Sequence, residues 1–333
     1  MKKIGLGIVV LLYCVSCGNR LQRKDFVGGA LGTSYSIIAI TADEKDLQQE
    51  IDSVFRVINA SLSTYIPDSD ISKINDGDST VVVDAMFKEV FQLSKRIFKE
   101  TGGYFDPTVG TLVNAWGFGP ERKLELDSLK VDSLLRYVGF SKVSLTPQNR
   151  IKKQSPEIYI DFNAIAKGYA IDRLAAMMDA QGIENYLIEV GGEIVSKGEN
   201  TIKEKPWVVG IDDPQMEIGR SSKLLIELTD KALASSGNYR KFRIDEVTGK
   251  KYVHTVNPKT GFTQNSNTLA VTILANDCAT ADAYATAFMA MDLDEAFKLI
   301  SNDKELEAYI VYLDDKGETQ EFLTNGFKEL VVQ

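Results

Sequence analysis

Histidine and cysteine are scarce in this chain of 333 residues: His254 stands alone, and there are three cysteines. A zinc site built only from histidine or cysteine is therefore excluded. Cys14 and Cys17 fall in the first apolar stretch, which leaves Cys278 as the single thiol of the body. One cysteine cannot make an intramolecular disulfide framework, so stability must come from the core. Excess basic charge is also missing. The formal net charge is −9, with a pI near 4.9. Nucleic-acid binding needs a basic face, and electrostatic attachment to anionic lipid needs a polybasic segment. No G-x-G-x-x-G follows a first strand, which argues against a Rossmann dinucleotide site. Internal repeats, low-complexity tracts and a strong interdomain linker are absent too.

The first residues have an organisation of their own. Met1-Lys2-Lys3 is a short basic segment, and Ile4 to Val15 is apolar. That run is about a dozen residues, too short for a bilayer span of ~20. It ends at Val15-Ser16-Cys17, where small residues precede a cysteine. Residues 1–16 therefore read as a lipoprotein signal peptide, with lipid on Cys17. An ordinary secretory signal is the alternative. Residues 17–25 read as a polar tether, and 26–333 as one domain.

Downstream, the periodicity is mixed. Phe26 to Ile40 is β-rich and broken by Gly28-Gly29 and Gly32. Leu47, Ile51, Val54, Phe55 and Ile58 recur at helical spacing, predicting a helix over Asp43 to Asn59. A second helix follows the N-cap Asp84 and stops at Thr101-Gly102-Gly103. Ile158-Tyr159-Ile160 predicts a short strand, and Ile165 to Gln181 a helix ending at Gly182. Strands are expected at Tyr186–Val190, Trp207–Ile211, Leu224–Leu228 and Val271–Ala275, and an alanine-rich helix over Thr280–Met291. Strands cluster without a regular strand–helix–strand period. The expectation is an α+β fold, a single domain with a largely antiparallel sheet flanked by helices.

Four clusters could carry chemistry. In Ile160 to Gly168, the expected strand ends at Asp161, turns, and opens a helix with Lys167 near its start. Free N–H groups at a helix start favour an anion, and a lysine adds charge toward phosphate. An N-cap aspartate with a solvated lysine fits the same residues equally well. In Thr280 to Thr286, Asp282 and Thr286 are four apart and share a helix face. Set among alanines, they leave room for a hard cation with oxygen ligands; a polar helix surface is the plainer alternative. His254 precedes an Asn257-Pro258 and Thr260-Gly261 turn, where an imidazole could accept a hydroxyl proton. Tyr104 and Phe105, with Tyr65, could stack on a planar ring system, or simply pack in a core.

Taken in order, these segments resemble the ApbE family, the FAD:protein FMN transferases. The resemblance rests on Leu31-Gly32-Thr33, Ser63-Thr64-Tyr65 with Ser69 to Asn75, Thr101 to Thr108, and Trp116 to Gly119. It continues through Ala164 to Gly168, Gly191-Gly192-Glu193-Ile194, Trp207 to Ile211, Ser236 to Tyr239, His254 to Gly261, and Ala281 to Ala287. It implies transfer of FMN from FAD to a Ser or Thr hydroxyl of an acceptor flavoprotein, with release of AMP; hydrolysis of FAD to FMN and AMP, or FAD binding by a lipoprotein without chemistry, are the alternatives. It also implies Mg²⁺ held by Asp282, Thr286 and the carbonyl of Ala164, and FAD contacted by Asp161 and Lys167. Tyr65 is expected against the isoalloxazine, Tyr104, Phe105 and Asp106 along the flavin or adenine pocket, and Leu31 and Val256 as apolar walls. His254 is expected to be the base. The implied acceptor is a subunit of a membrane redox complex, and the implied location is the extracytoplasmic side of a bacterial envelope. The chain departs from the family pattern at Leu31, where Met is common, and at Asn238 and Asn257, where Asp is usual.

Overall fold

The architecture comes from a computed structural model, which describes residues 21–43, 45–121, 123–214, 222–237, 242–244, 251–253, 255–263 and 266–332. An eight-stranded sheet forms its spine: β1 (Gln22–Ala30), β2 (Thr33–Thr41), β3 (Asn185–Val190), β4 (Glu193–Lys197), β5 (Ala232–Gly237), β6 (Thr268–Ala275), β7 (Glu307–Leu313) and β8 (Thr319–Leu323). Their spatial order is their chain order, and every neighbouring pair is antiparallel. The expected α+β fold with a largely antiparallel sheet is borne out.

Segments between strands supply the helices. Residues 42–184, between β2 and β3, carry α1 (Gln48–Leu62), α2 (Asp70–Asn75), α3 (Ala85–Glu100), α4 (Gly110–Trp116), α5 (Ser128–Leu135) and α6 (Ala166–Ala180). α7 (Cys278–Ala290) and α8 (Leu293–Asn302) follow β6, and α9 (Asn325–Glu329) follows β8. Alternating strand residues separate two apolar layers, as a pleat requires. Ile37, Ile188, Ala234 and Ile273 face the helices. Leu233, Leu274 and Tyr309 face the other way, onto the hairpin Trp207–Asp212/Ser222–Leu228 and α9. α7 is covered on nearly all sides, and its small alanines let α3, α6 and the sheet approach it closely. Among the described residues no helix is long and apolar enough to cross a membrane.

Several local expectations shift. The helix expected from Asp43 starts at Gln48, because Asp43 and Asp46 turn their side chains back onto the amides of Lys45 and Gln48. Gly28-Gly29 does not break the first strand. It lies inside β1, where the Tyr35 ring of β2 packs into the space a Gly28 Cβ would fill. The break is the two-residue turn Leu31-Gly32, both residues at positive φ (52° and 73°). β1 begins at Gln22, so the last residues of the stretch 17–25 pair with β2. Ile158-Tyr159-Ile160 pairs with no strand among the described residues. Instead the Asn75 carboxamide grips Ile160 at both ends, accepting from its N–H and donating to its carbonyl, each at 2.8 Å. Thr111 Oγ1 accepts from the Tyr159 N–H. Side chains here replace the ladder that a strand would need.

Candidate functional site

Two helix starts face each other at the centre of the molecule. α6 begins after the tight turn Phe162–Ile165, in which the Phe162 carbonyl accepts from the N–H groups of Ile165 and Ala166. No side chain of that turn caps α6. Its first turn is satisfied from outside: Asp282 Oδ2 of α7 accepts from the Gly168 N–H at 3.2 Å. α6 reciprocates. Asp172 accepts from the N–H groups of Cys278 and Ala279 at 2.7 and 2.8 Å, at the start of α7. Each helix thus caps the other, which satisfies donors that burial would otherwise strand. Gly168 makes this possible, since a Cβ there would lie 2.4 Å from the Cys278 carbonyl oxygen.

Charge gathers at this junction. Lys167 forms an ion pair with Glu193, the first residue of β4. The charge of Asp282 also acts on Glu193. Burial pushes the Asp282 carboxyl above its ordinary range, against the pull of Lys167 and the Gly168 N–H. Burial, and then the charge of Asp282, push Glu193 well up. Burial opposes the Lys167 ammonium, but the two carboxylates outweigh it and hold the lysine charged. Thr286 sits one turn beyond Asp282, half-buried on the same face. Ala164, in the turn before α6, is half-buried against the core.

The same turn leads to the flavin-contact candidates. Asp161 is anchored by its own N–H donating to the Pro107 carbonyl at 2.8 Å, and its carboxylate accepts from the Asn163 N–H at 2.7 Å. Asn163 donates to Thr64 Oγ1, which brings the 63–65 segment alongside. Tyr65 is 62% exposed. Partial burial and the nearby charge of Asp161 push its phenol up. Leu31 holds its positive-φ turn beside both helix-facing core layers. That conformation costs a non-glycine residue on the order of 1–2 kcal/mol. The Gly191 N–H donates to the Ser34 carbonyl at 3.0 Å, so the Leu31 turn and the Gly191-Gly192 turn before Glu193 share one end of the sheet.

Other candidates lie elsewhere or are already engaged. Phe105 is 2% exposed and packs in the main core. Asp106 is buried and accepts from the Thr108 N–H, the Thr108 hydroxyl and the Phe140 N–H. Tyr104 has the Lys259 ammonium 3.6 Å from its ring centroid, and Glu295 beside its hydroxyl. Val256 packs with Leu112, Trp116 and Val131 in a separate apolar cluster. The loop following it is fastened twice: Asn257 donates to the Ala290 carbonyl, and Trp116 Nε1 to the Gly261 carbonyl. His254 and Asn238 lie outside the described residues.

The structure therefore brings together Tyr65 and Asp161 on one side of a turn, and Lys167 and Asp282 on the other. It adds Glu193, Asp172 and Asn75, to which the sequence reading gave no role. Glu193 and Asn75 stood within quoted motifs; Asp172 carries no local signal. Among the described residues, no group of three or more His, Cys, Asp or Glu is spaced to hold a metal ion. The expected oxygen set has one carboxylate, one hydroxyl and one carbonyl. Among the described residues, the buried Asp282 carboxylate accepts from one N–H and Glu193 Oε2 has no hydrogen-bond partner, which fits a hard cation.

Comparison with known proteins places the whole chain among its relatives. The family model described as the ApbE family matches residues 31–310. FAD:protein FMN transferase of Vibrio cholerae is 34% identical, over 97% of each chain. That of Haemophilus influenzae is 32% identical, over 99% of each. The solved flavin transferase ApbE from Vibrio cholerae superposes with a TM-score of 0.81 at 33% identity, covering 93% of this chain and all of that one. The ApbE protein from Thermotoga maritima gives 0.81 at 28%, covering 94% of this chain and all of that one. With sequence, fold and the order of the motifs in agreement, the chain belongs to the ApbE family.

Proposed function

We propose that this chain transfers FMN from FAD to a Ser or Thr hydroxyl of an acceptor flavoprotein, with Mg²⁺ at Asp282, Thr286 and the Ala164 carbonyl. The observation that carries the metal and phosphate assignment is the buried junction of α6 and α7. There an ammonium, two carboxylates and a helix start converge in one small volume.

The reaction is phosphoryl transfer. The acceptor oxygen bonds to the flavin-side phosphorus, the bridging P–O bond breaks, and AMP leaves with the electron pair. Positioning and charge compensation are the protein's contribution. Bound Mg²⁺ supplies positive charge to the diphosphate oxygens and offsets charge that builds on them. Lys167, held charged, offers a second positive group at the start of α6. Tyr65 presents an exposed ring beside Asp161, suited to lie against the isoalloxazine. His254 takes the proton of the attacking hydroxyl.

The first residues support a lipid anchor at Cys17 and an extracytoplasmic site of action. A flavoprotein subunit of a membrane redox complex is then within reach as acceptor. Incubation with FAD, Mg²⁺ and a candidate acceptor, followed by mass spectrometry of the acceptor, tests the activity. An FMN adduct supports transfer. Free FMN with unmodified acceptor means hydrolysis instead, and intact FAD means a binding protein. Asp282→Ala should abolish magnesium-dependent turnover; unchanged turnover removes the metal assignment.

A further inference from the structure

The mechanism above counts Glu193 among the charges of the junction but gives it no role, and its surroundings call for one. Glu193 is 2% exposed. Oε1 meets the Lys167 ammonium, whereas Oε2 has no hydrogen-bond partner among the described residues. A buried carboxylate oxygen without a donor is costly unless something positive reaches it. The charge of Asp282 makes matters worse, because it is a second buried carboxyl acting on the first. Lys167 can neutralise one of the two. The remaining negative charge calls for a proton or a cation at a point between Glu193 and Asp282.

The backbone holds Glu193 there firmly. It pairs with Val190 across the Gly191-Gly192 turn, at the sheet end where α6 begins. Its Lys167 partner is one residue before Gly168, whose N–H fixes Asp282. Both carboxylates are thus positioned from the same turn of α6, one through a side chain and one through a backbone N–H.

We propose that Glu193 is a further residue of the cation seat. Oε1 holds Lys167 in place, and Oε2 offers the divalent ion a second carboxylate oxygen opposite Asp282, directly or through one bound water. The inference rests on the magnesium reading of Asp282. It gives the seat a charge of −2 from side chains, with Lys167 bringing the local sum to −1 before substrate arrives.

Mn²⁺ binding to the full chain with saturating FAD, read by electron paramagnetic resonance, tests it alongside FAD affinity measured without metal by flavin fluorescence. Glu193→Gln keeps shape and an acceptor for Lys167 while removing the charge. It should weaken Mn²⁺ by ~10–100-fold, the range seen when a supporting carboxylate is lost from a metal site. FAD affinity without metal should change less than about twofold, because Lys167 keeps its acceptor. Unchanged Mn²⁺ affinity in Glu193→Gln, with Asp282→Asn losing it, overturns the role of Glu193 and leaves the magnesium reading standing. Retention of Mn²⁺ in both variants overturns the magnesium reading itself. Should Glu193→Gln fail to fold, Glu193→Asp keeps the charge at shorter reach. A Mn²⁺ affinity of Glu193→Asp equal to wild type would overturn the proposal, and a lower one would support it.

Discussion

Gly168→Ala puts the junction of α6 and α7 to a quantitative test. In an ordinary helix interior this change stabilises, by ~1 kcal/mol, since alanine has the better helix propensity. Here the new methyl would lie 2.4 Å from the Cys278 carbonyl oxygen, 2.6 Å from its carbon and 2.8 Å from Ala279 Cα. All three are backbone atoms of a buried helix, so no side chain can swing aside. Relief requires the helices to part by most of an ångström. Overpacking of that kind costs ~1–3 kcal/mol. The Gly168 N–H to Asp282 hydrogen bond, already 3.2 Å, would lengthen beyond useful range. Loss of a bond to a charged group adds ~1.5–3 kcal/mol. Against the propensity gain, the net destabilisation is ~1.5–5 kcal/mol, a drop in Tm of several degrees. Thermal unfolding by circular dichroism reads the stability, and FMN transfer against magnesium concentration reads the site. Gly29→Ala is the control, because its Cβ would find only ordinary contact at 3.7 Å. A Gly168→Ala variant with wild-type Tm and wild-type magnesium dependence would refute the account of the junction.

Other expectations follow from single groups. His254→Ala should slow the chemical step by ~10²–10⁴ while sparing FAD binding, as read by single-turnover transfer beside flavin fluorescence; equal loss of binding would make His254 a ligand contact. Tyr65→Ala should weaken flavin affinity, and an unaltered Kd would remove its stacking role. Asp106→Ala strands the donors of Thr108 and Phe140 and should cost ~2–4 kcal/mol in urea unfolding. Burial raises Asp106 to about 6 and Asp172 to about 7. Folding therefore takes up protons between the ordinary carboxylate range and neutrality. The stability these groups contribute is full below pH 4 and declines as pH rises through 6 and 7. Asp172→Asn should flatten that slope in metal-free buffer, and an unchanged slope would contradict the burial argument.

The sequence disclosed some parts of this molecule better than others, for physical reasons. α1 and α3 bury one stripe each, so their 3.6-residue period is plain. α7 has no stripe because it is covered all round, yet its alanines still declare a helix. Ile158–Ile160 has strand-like residues and no strand partner. Asn75, far away in sequence, takes that place. The Gly28-Gly29 pair looked like a break because the ring that fills its space belongs to the next strand. Of the site, Lys167, Asp282 and Thr286 stood out through residue type and spacing. The pairing of Lys167 with Glu193, and the mutual capping by Asp172 and Asp282, depend on how two distant helices meet. No window of sequence contains that information.

Inserting residues 42–184 between β2 and β3 has a kinetic corollary. Ile37 cannot find Ile188 until that whole stretch has been brought round. Closing a loop of this length costs roughly 4 kcal/mol of chain entropy. The ladder between β2 and β3 is thus a late event unless the inserted helices first condense by themselves. In pulsed hydrogen exchange, the amides of β3 that face β2 should be among the last to gain protection, well after those of α1 and α3.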